Sequence, residues 1–278
     1  QISFYQQKTL PLLDAEGRLF LETPWKFAEG SNGNGRALHE FYESGIWKEW
    51  WEKGIRHLNF IPVDNPLADP FDAELLGYHQ TNKSEVTIKC TDRINPHEKV
   101  GIIVTQNGST RVIEYSEMSN PELHALDQEG NYKHLCANLS LFCFQMNFIE
   151  TIAKEEAPQN TLHLAHKNVK FLNANQETLL STEANAWKFE TFIFDILTSA
   201  KTVRAIVYPR EHCFAPLKGL SGDHSIHTVR AALLERDRHV FASISGYLPD
   251  PEHIFELDQE FYYPTEELRD YWHNRPAP

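Results

Sequence analysis

"RHLNFIPVDNPLADPFD", residues 56–72, is the stretch on which the fold class turns. Leu58 to Val63 is short, apolar and rich in branched side chains and Phe, so it reads as a buried strand. It stops on Asp64-Asn65-Pro66. All three residues favour turns, and a turn is the commoner use of such a tripeptide. An open α/β sheet, however, binds its ligands at the carboxyl ends of its strands, where a carboxylate can hold a divalent cation. The stretch alone leaves both readings of Asp64 open. A helix is expected next, near Asp72 to His79, then a strand from Glu85 to Cys90.

Working outward, Ile2 to Gln7 reads as a strand, and Glu29 to Gly35, "EGSNGNG", as a loop. Ala37 to Trp51 carries helical spacing with a break or kink at Gly45. Leu38, Phe41 and Tyr42 share one face of it, and Trp47, Trp50 and Trp51 read as core packing. Downstream, Val100 to Gln106 and Ser109 to Tyr115 flank Asn107-Gly108, a hairpin signal. Asn120-Pro121-Glu122 has the look of an N-cap, a first-turn Pro and an acidic first turn. Further helices are expected over Phe144 to Glu155, Ala186 to Ser199 and Ser225 to Glu235, with a strand at Thr202 to Tyr208. Strands alternating with helices predict an α/β class with a mostly parallel sheet flanked by helices. From about Val240 the chain becomes rich in Pro, aromatic and acidic residues. This predicts a main domain over 1–239 and a small C-terminal subdomain over 240–278.

The chain has 278 residues, 41% of them hydrophobic, which is enough for a sizeable core. A formal charge of −13 argues against a general nucleic-acid or membrane-surface partner, while leaving room for a local basic pocket. No run approaches the ~18 apolar residues of a membrane span. The four cysteines show no CxxC pairing and read as reduced thiols, which together with the lack of a signal-peptide pattern predicts a cytoplasmic protein. His163-x-x-His166 and His224-x-x-His227 lack the partners of a zinc site. Three glycosylation triplets read as chance matches, and GxSxG and GxxxxGK[ST] motifs are absent.

The residues with chemical promise are scattered. "FAPLKG", Phe214 to Gly219, holds Lys218 in a Gly-flanked turn, suited to a phosphate or equally to solvent. "VIEYSE" leaves Glu114 and Glu117 near a strand end, where carboxylates can accept from sugar hydroxyls or simply be exposed. "KFETFIFDI" puts Phe192 and Phe194 beside Glu190 and Asp195; such Phe residues are more often core. "EGSNGNG" suits positive φ or close approach to a ligand.

In chain order, "FYQQKTLP", "GNG" (Gly33 to Gly35), "VDN" (Val63 to Asn65), "NP" then "VG" (Asn95 to Gly101), "IEYSE", "AN" (Ala137-Asn138), "FETFIFD" and "FAPLK" resemble the eukaryote-type UDP-sugar pyrophosphorylases. The pattern is most similar to the branch that acts on N-acetylglucosamine-1-phosphate, and covers roughly Ile2 to Ala232. The resemblance implies a Rossmann-like, glycosyltransferase-A-like fold. It implies a Mg²⁺-assisted uridylyltransferase that makes UDP-N-acetylglucosamine and pyrophosphate from UTP and the sugar-1-phosphate. Gln7 and the Gly33-Asn34-Gly35 turn would face the uridine, and Asp64 would hold Mg²⁺. Glu114 and Asn138 would bind the sugar, Phe192 and Phe194 would wall its pocket, and Lys188 and Lys218 would neutralise phosphate. Glucose-1-phosphate or a broader sugar range is the alternative substrate reading, and a non-catalytic sugar-nucleotide-binding remnant the alternative class.

Three departures stand out. Leu135-Cys136-Ala137-Asn138 replaces the family's NAGN, and Ser31-Asn32 stands where the family has a Pro before GNG. The family's Gly-rich nucleotide loop with its Arg is expected before Gln1. The expectation is therefore a C-terminal portion, inactive alone, whose site is completed by a missing N-terminal part or a separate chain.

Overall fold

The computed structural model describes residues 2–155 and 162–275. Its organising element is a ten-residue strand, Cys136–Gln145, with both faces largely buried. Val86–Asp92 runs antiparallel along one edge of it. The other edge is shared: His57–Phe60 pairs with Phe142 to Gln145, and Gly101–Gln106 pairs with Ala137 and Asn138, both antiparallel. Val203–Val207 adds a parallel ladder outside Val86–Asp92, and Ser109–Ile113 returns antiparallel along Gly101–Gln106. The α/β class holds, and the six-stranded sheet is mixed. Four strands run one way because each opposes Cys136–Gln145 directly or lies parallel to one that does. The parallel ladder is Val203–Val207 on Val86–Asp92, less parallel pairing than the alternation suggested.

The spine strand is what the periodicity concealed. A strand buried on both faces reads as a continuous apolar run, which also fits a buried helix. The expected helix from Phe144 in fact begins at Met146, after the strand ends, and runs Met146–Lys154. Phe142 and Phe144 face one side, against Leu38, Phe41 and Trp47 of the helices Ala37–Glu43 and Ile46–Glu52. The alternate residues Ala137, Leu139 and Leu141 face the other side, with Cys213. Gly45 breaks the two helices apart at φ 83, a conformation that costs glycine little. Asn107 and Gly108 both take positive φ, as a two-residue primed hairpin turn requires.

Other expectations shift. The Leu58 to Val63 strand is His57–Phe60, and the chain has left the sheet by Val63, which is fully exposed. Residues 2 to 7 lie outside any ladder; Thr9–Pro11 pairs with Glu29–Ser31 instead. The Ala186 to Ser199 helix is a strand, Ala186–Glu190, paired with His163–Lys167 and followed by a 3₁₀ turn, Ile193–Ser199. Alternation of Trp187 and Phe189 with polar neighbours was the strand signal there. Ser119, one residue before Asn120, is the N-cap, forming a capping box with Glu122. The helix expected over Ser225 to Glu235 runs on as Ile226–Ser245, ending on Gly246 at φ 72. The expected 239/240 boundary falls within it, and its Phe241 packs on Phe261 and Trp272 of the C-terminal segment. Among the described residues no helix is long and apolar enough to cross a membrane.

Candidate active site

Opposite Lys89 and Cys90 the spine strand carries an irregularity: Lys89 pairs with Leu141, and Cys90 with Asn138. Leu139 and Ser140 are extra residues, a bulge of the kind that re-aims side chains beside functional sites. Ser140 takes φ 56, and its N–H donates to Asn138 Oδ1 at 3.2 Å. Asn138, Leu139 and Ser140 thereby line a cavity of ≈ 300 Å³.

The exit of His57–Phe60 forms another side. Asn65 N–H donates to Pro62 O at 3.2 Å, so Asp64 does sit in a turn. Its residue also lines the cavity, so the two readings of this aspartate are compatible. Buried Asn65 locks that turn to the segment after Val203–Val207: its Nδ2 donates to Cys213 O at 2.8 Å and its Oδ1 accepts from Ala215 N–H at 3.0 Å. Leu217 N–H then donates to Asp64 O at 2.7 Å, which brings Lys218 to the same cavity.

A third side comes from the hairpin. Glu114 follows Ser109–Ile113 and lines the cavity beside Gly101. A Cβ on Gly101 would lie 2.7 Å from Val112 Cγ1 and 3.3 Å from Glu114 Oε1, so only glycine allows this approach. Burial, reinforced by Glu117, holds the Glu114 carboxyl above its usual range against the pull of His163 and Lys218.

The fourth side is aromatic. Phe192 and Phe194 stack with centroids 5.0 Å apart and interplanar angle 28°. They do so across the entry to the 3₁₀ turn, of which Phe192 is the N-cap residue. Asn34 Oδ1 accepts from Ile193 N–H at 2.9 Å and fixes the "GNG" loop against this wall. Gly35 N–H donates to Thr191 O at 2.9 Å, and a Cβ on Gly33 or Gly35 would collide with Thr191.

Of the residues expected from the sequence, Asn34, Asp64, Glu114 and Asn138 line this cavity, as do Phe192, Phe194 and Lys218. Gly33 and Gly35 shape its wall from behind. Gln7 is exposed and outside the lining. Lys188 is also outside it: its Nζ donates to Glu190 Oε1 at 2.6 Å and Ser31 Oγ at 2.9 Å. Gly101 of the "VG" motif lines the cavity too, and so do Lys99 and Ser140, for which the sequence reading named no role. Lys99 stands directly before the "VG" motif, the signal that could have found it. It also reaches a second cavity of ≈ 630 Å³, which shares Phe214 and Pro216 with the first. The first cavity thus combines two Lys, two carboxylates, amide oxygens and an aromatic wall, with no imidazole or thiol among its described lining residues.

Residues 1–261 match the family described as UTP–glucose-1-phosphate uridylyltransferase. The chain is similar to a Schizosaccharomyces pombe protein named "Probable UDP-N-acetylglucosamine pyrophosphorylase", 33% identical over 226 residues, covering 79% of this chain and 47% of that one. It is similar to a solved structure from Entamoeba histolytica assigned as a UDP-N-acetylglucosamine pyrophosphorylase, with TM-score 0.85 and 26% identity over 98% of this chain and 67% of the other. A Trypanosoma brucei UDP-N-acetylglucosamine pyrophosphorylase structure shares the fold, with TM-score 0.75 and 21% identity over 87% of this chain and 49% of the other. The chain spans about half the length of the curated relatives it matches.

Proposed function

The chain belongs to the UTP–glucose-1-phosphate uridylyltransferase family, and from that premise we propose that it carries the sugar-binding and metal-binding part of a uridylyltransferase. The reaction joins UTP and N-acetylglucosamine-1-phosphate into UDP-N-acetylglucosamine and pyrophosphate. The single observation that supports this best is the convergence of Asp64, Lys218, Glu114, Asn138 and the Phe192–Phe194 pair on one cavity.

In this reaction a sugar phosphate oxygen attacks the α-phosphorus of UTP, a new P–O bond forms, and pyrophosphate leaves. Two polyanions must be brought in line, so positioning and charge neutralisation dominate over covalent work. Lys218 and Lys99, both in the lining, would offer cations to the phosphates. Asn138 and Glu114 offer an amide and a carboxylate to sugar hydroxyls or the acyl group. Phe192 and Phe194 offer an apolar wall to the sugar ring. The hard oxygen donors of the lining fit Mg²⁺, which binds through one or two carboxylates plus substrate phosphate. Asp64 would hold it. When bound, Mg²⁺ neutralises phosphate charge and orients the reacting groups. Four free thiols fit a reducing, cytoplasmic setting.

The test is pyrophosphate release by the full-length gene product from UTP with N-acetylglucosamine-1-phosphate, set beside glucose-1-phosphate. Higher kcat/KM for the acetylated sugar supports the reading. Preference for glucose-1-phosphate moves the assignment to UDP-glucose synthesis. Binding of UDP-sugar without release from either substrate would leave a non-catalytic binding protein.

A further inference from the structure

Just behind the aromatic wall sits an imidazole that does not line the cavity. His163 opens the strand His163–Lys167, paired with Glu190 in the strand that leads to Phe192. Its Nδ1 lies 2.8 Å from Glu117 Oε1 and its Nε2 lies 3.1 Å from Asp195 Oδ1. Its ring packs tilted on Phe192 at 4.6 Å between centroids and meets Phe194 edge-on at 6.1 Å, so it touches both rings of the stacked pair. Asp195 ties the arrangement together, because its other oxygen accepts from the Phe192 backbone N–H at 2.9 Å.

An ionised carboxylate only accepts hydrogen bonds, and a neutral imidazole has one N–H. Two carboxylate partners therefore call for the doubly protonated ring. We infer that His163 is a positioning residue of the sugar pocket: its doubly anchored imidazolium fixes Phe192 and Phe194, both of which it touches, and so sets the pocket's width. Loss of one proton removes one anchor and loosens the wall.

The groups around the ring support this. Glu117 and Glu114 face it from the hairpin exit and Asp195 from the 3₁₀ turn. Glu190, itself paired with Lys188, adjoins it on the neighbouring strand. Burial pulls the His163 pKa down, but the hydrogen bonds and charges of Glu117 and Asp195 outweigh burial, and the net displacement is upward from 6.5. The anchored form is present below that raised value and is lost as pH rises through it.

The inference rests on the uridylyltransferase reading, so the test has one arm with activity and one without. In the full-length protein, His163→Gln should raise KM for the sugar-1-phosphate on the order of ten-fold with kcat nearly unchanged. Its preference for N-acetyl over N-butyryl substrate should fall by a similar factor, the scale of small steric changes in a pocket. In the parent, KM should climb as pH passes through the His163 titration, and His163→Gln should remove that inflection. A folded variant with the parent's KM, acyl preference and pH profile overturns the inference. If His163→Gln does not fold, Glu117→Gln decides, since that side chain is 47% exposed. It should move the KM inflection to lower pH, and an unmoved inflection overturns the inference. The second arm is a ¹⁵N titration of the histidine rings in the parent. Both His163 nitrogens should stay protonated to above pH 6.5, whereas a ring already neutral below that pH overturns the positioning role even if turnover is seen. Absence of turnover with a normal imidazolium signature would instead count against the proposed reaction.

Discussion

At the scale of single residues, Asp64 and Phe194 separate chemistry from architecture in opposite ways. Asp64 gives its backbone oxygen to Leu217 N–H, and the residue also lines the cavity. Asp64→Asn retains the backbone bond and the shape while removing the charge. It should lower kcat on the order of 10²-fold or more, the cost of losing one electrostatic stabiliser. The thermal midpoint should stay within experimental spread, and unchanged kcat at saturating Mg²⁺ would return Asp64 to a turn role only. Phe194 cannot be divided so cleanly, because it is 5% exposed, packs with Ile193, Ile196 and Leu197, and also lines the cavity. Phe194→Gly should therefore act twice. It should cost roughly 3–5 kcal/mol of stability as a large-to-small core change. It should also raise kcat/KM for bulkier N-acyl sugar phosphates relative to N-acetylglucosamine-1-phosphate. Urea unfolding and acyl preference measured on the same variant check both, and a folded variant with the parent's preference removes Phe194 from the pocket.

Among the elements, the helix Ala73–Thr81 shows how a cap and a buried imidazole dock one face of the sheet. Asp72 accepts from Leu75 N–H at 2.8 Å as N-cap, and its other oxygen takes Lys89 Nζ of the neighbouring strand. At the far end His79 is fully buried, with Nδ1 2.8 Å from Thr87 Oγ1. Burial, with a smaller contribution from His57, pushes its pKa down to about 4. The unfolded chain takes up this proton near 6.5 and the folded chain does not until about 4, so acid favours unfolding across that window. The loss should reach roughly 3 kcal/mol by about pH 4, at 1.36 kcal/mol per pKa unit. The urea midpoint should fall between pH 7 and pH 5 in the parent. The fall should be smaller in His79→Gln, and equal slopes would show that another group carries the acid sensitivity.

Across the whole molecule, the site depends on one long-range clasp. Asn65 joins segments 148 residues apart through Cys213 O and 150 apart through Ala215 N–H. Asn65→Ala leaves both backbone groups without their partner, at a penalty of about 1–3 kcal/mol for the buried Cys213 carbonyl and less for the half-buried Ala215 N–H. It also frees Lys218 to drift from Asp64, although the amide of Asn65, itself a lining residue, is already taken up by the clasp. Misplacement by about 1 Å can cost on the order of 10²-fold in rate, so kcat should fall on that scale in a variant that still folds. Retained kcat with reduced stability would show that the clasp serves the fold alone.

The amino-acid sequence by itself determined whatever is encoded within a few residues. Asn107-Gly108 specified its hairpin, Gly45 its helix break, and Asp72 its cap, because φ/ψ preferences and side-chain-to-backbone bonds act locally. The alternation of elements gave the α/β class, and the ordered motifs gave the family. Tertiary structure decided the rest. Cys136–Gln145 became the spine because both its faces found cover, which no periodicity within the strand records. The bulge at Leu139-Ser140 follows from register against Val86–Asp92 and aims Asn138 into the cavity. Lys218 and Lys99 reached that cavity while Lys188 turned to Glu190, a choice set by which ladder each segment joined. His163 met Glu117 across 46 residues and Asp195 across 32 only because a separate two-stranded ladder carried it there. Contacts at such separations depend on sheet register and packing, and these exist only once the whole chain has folded.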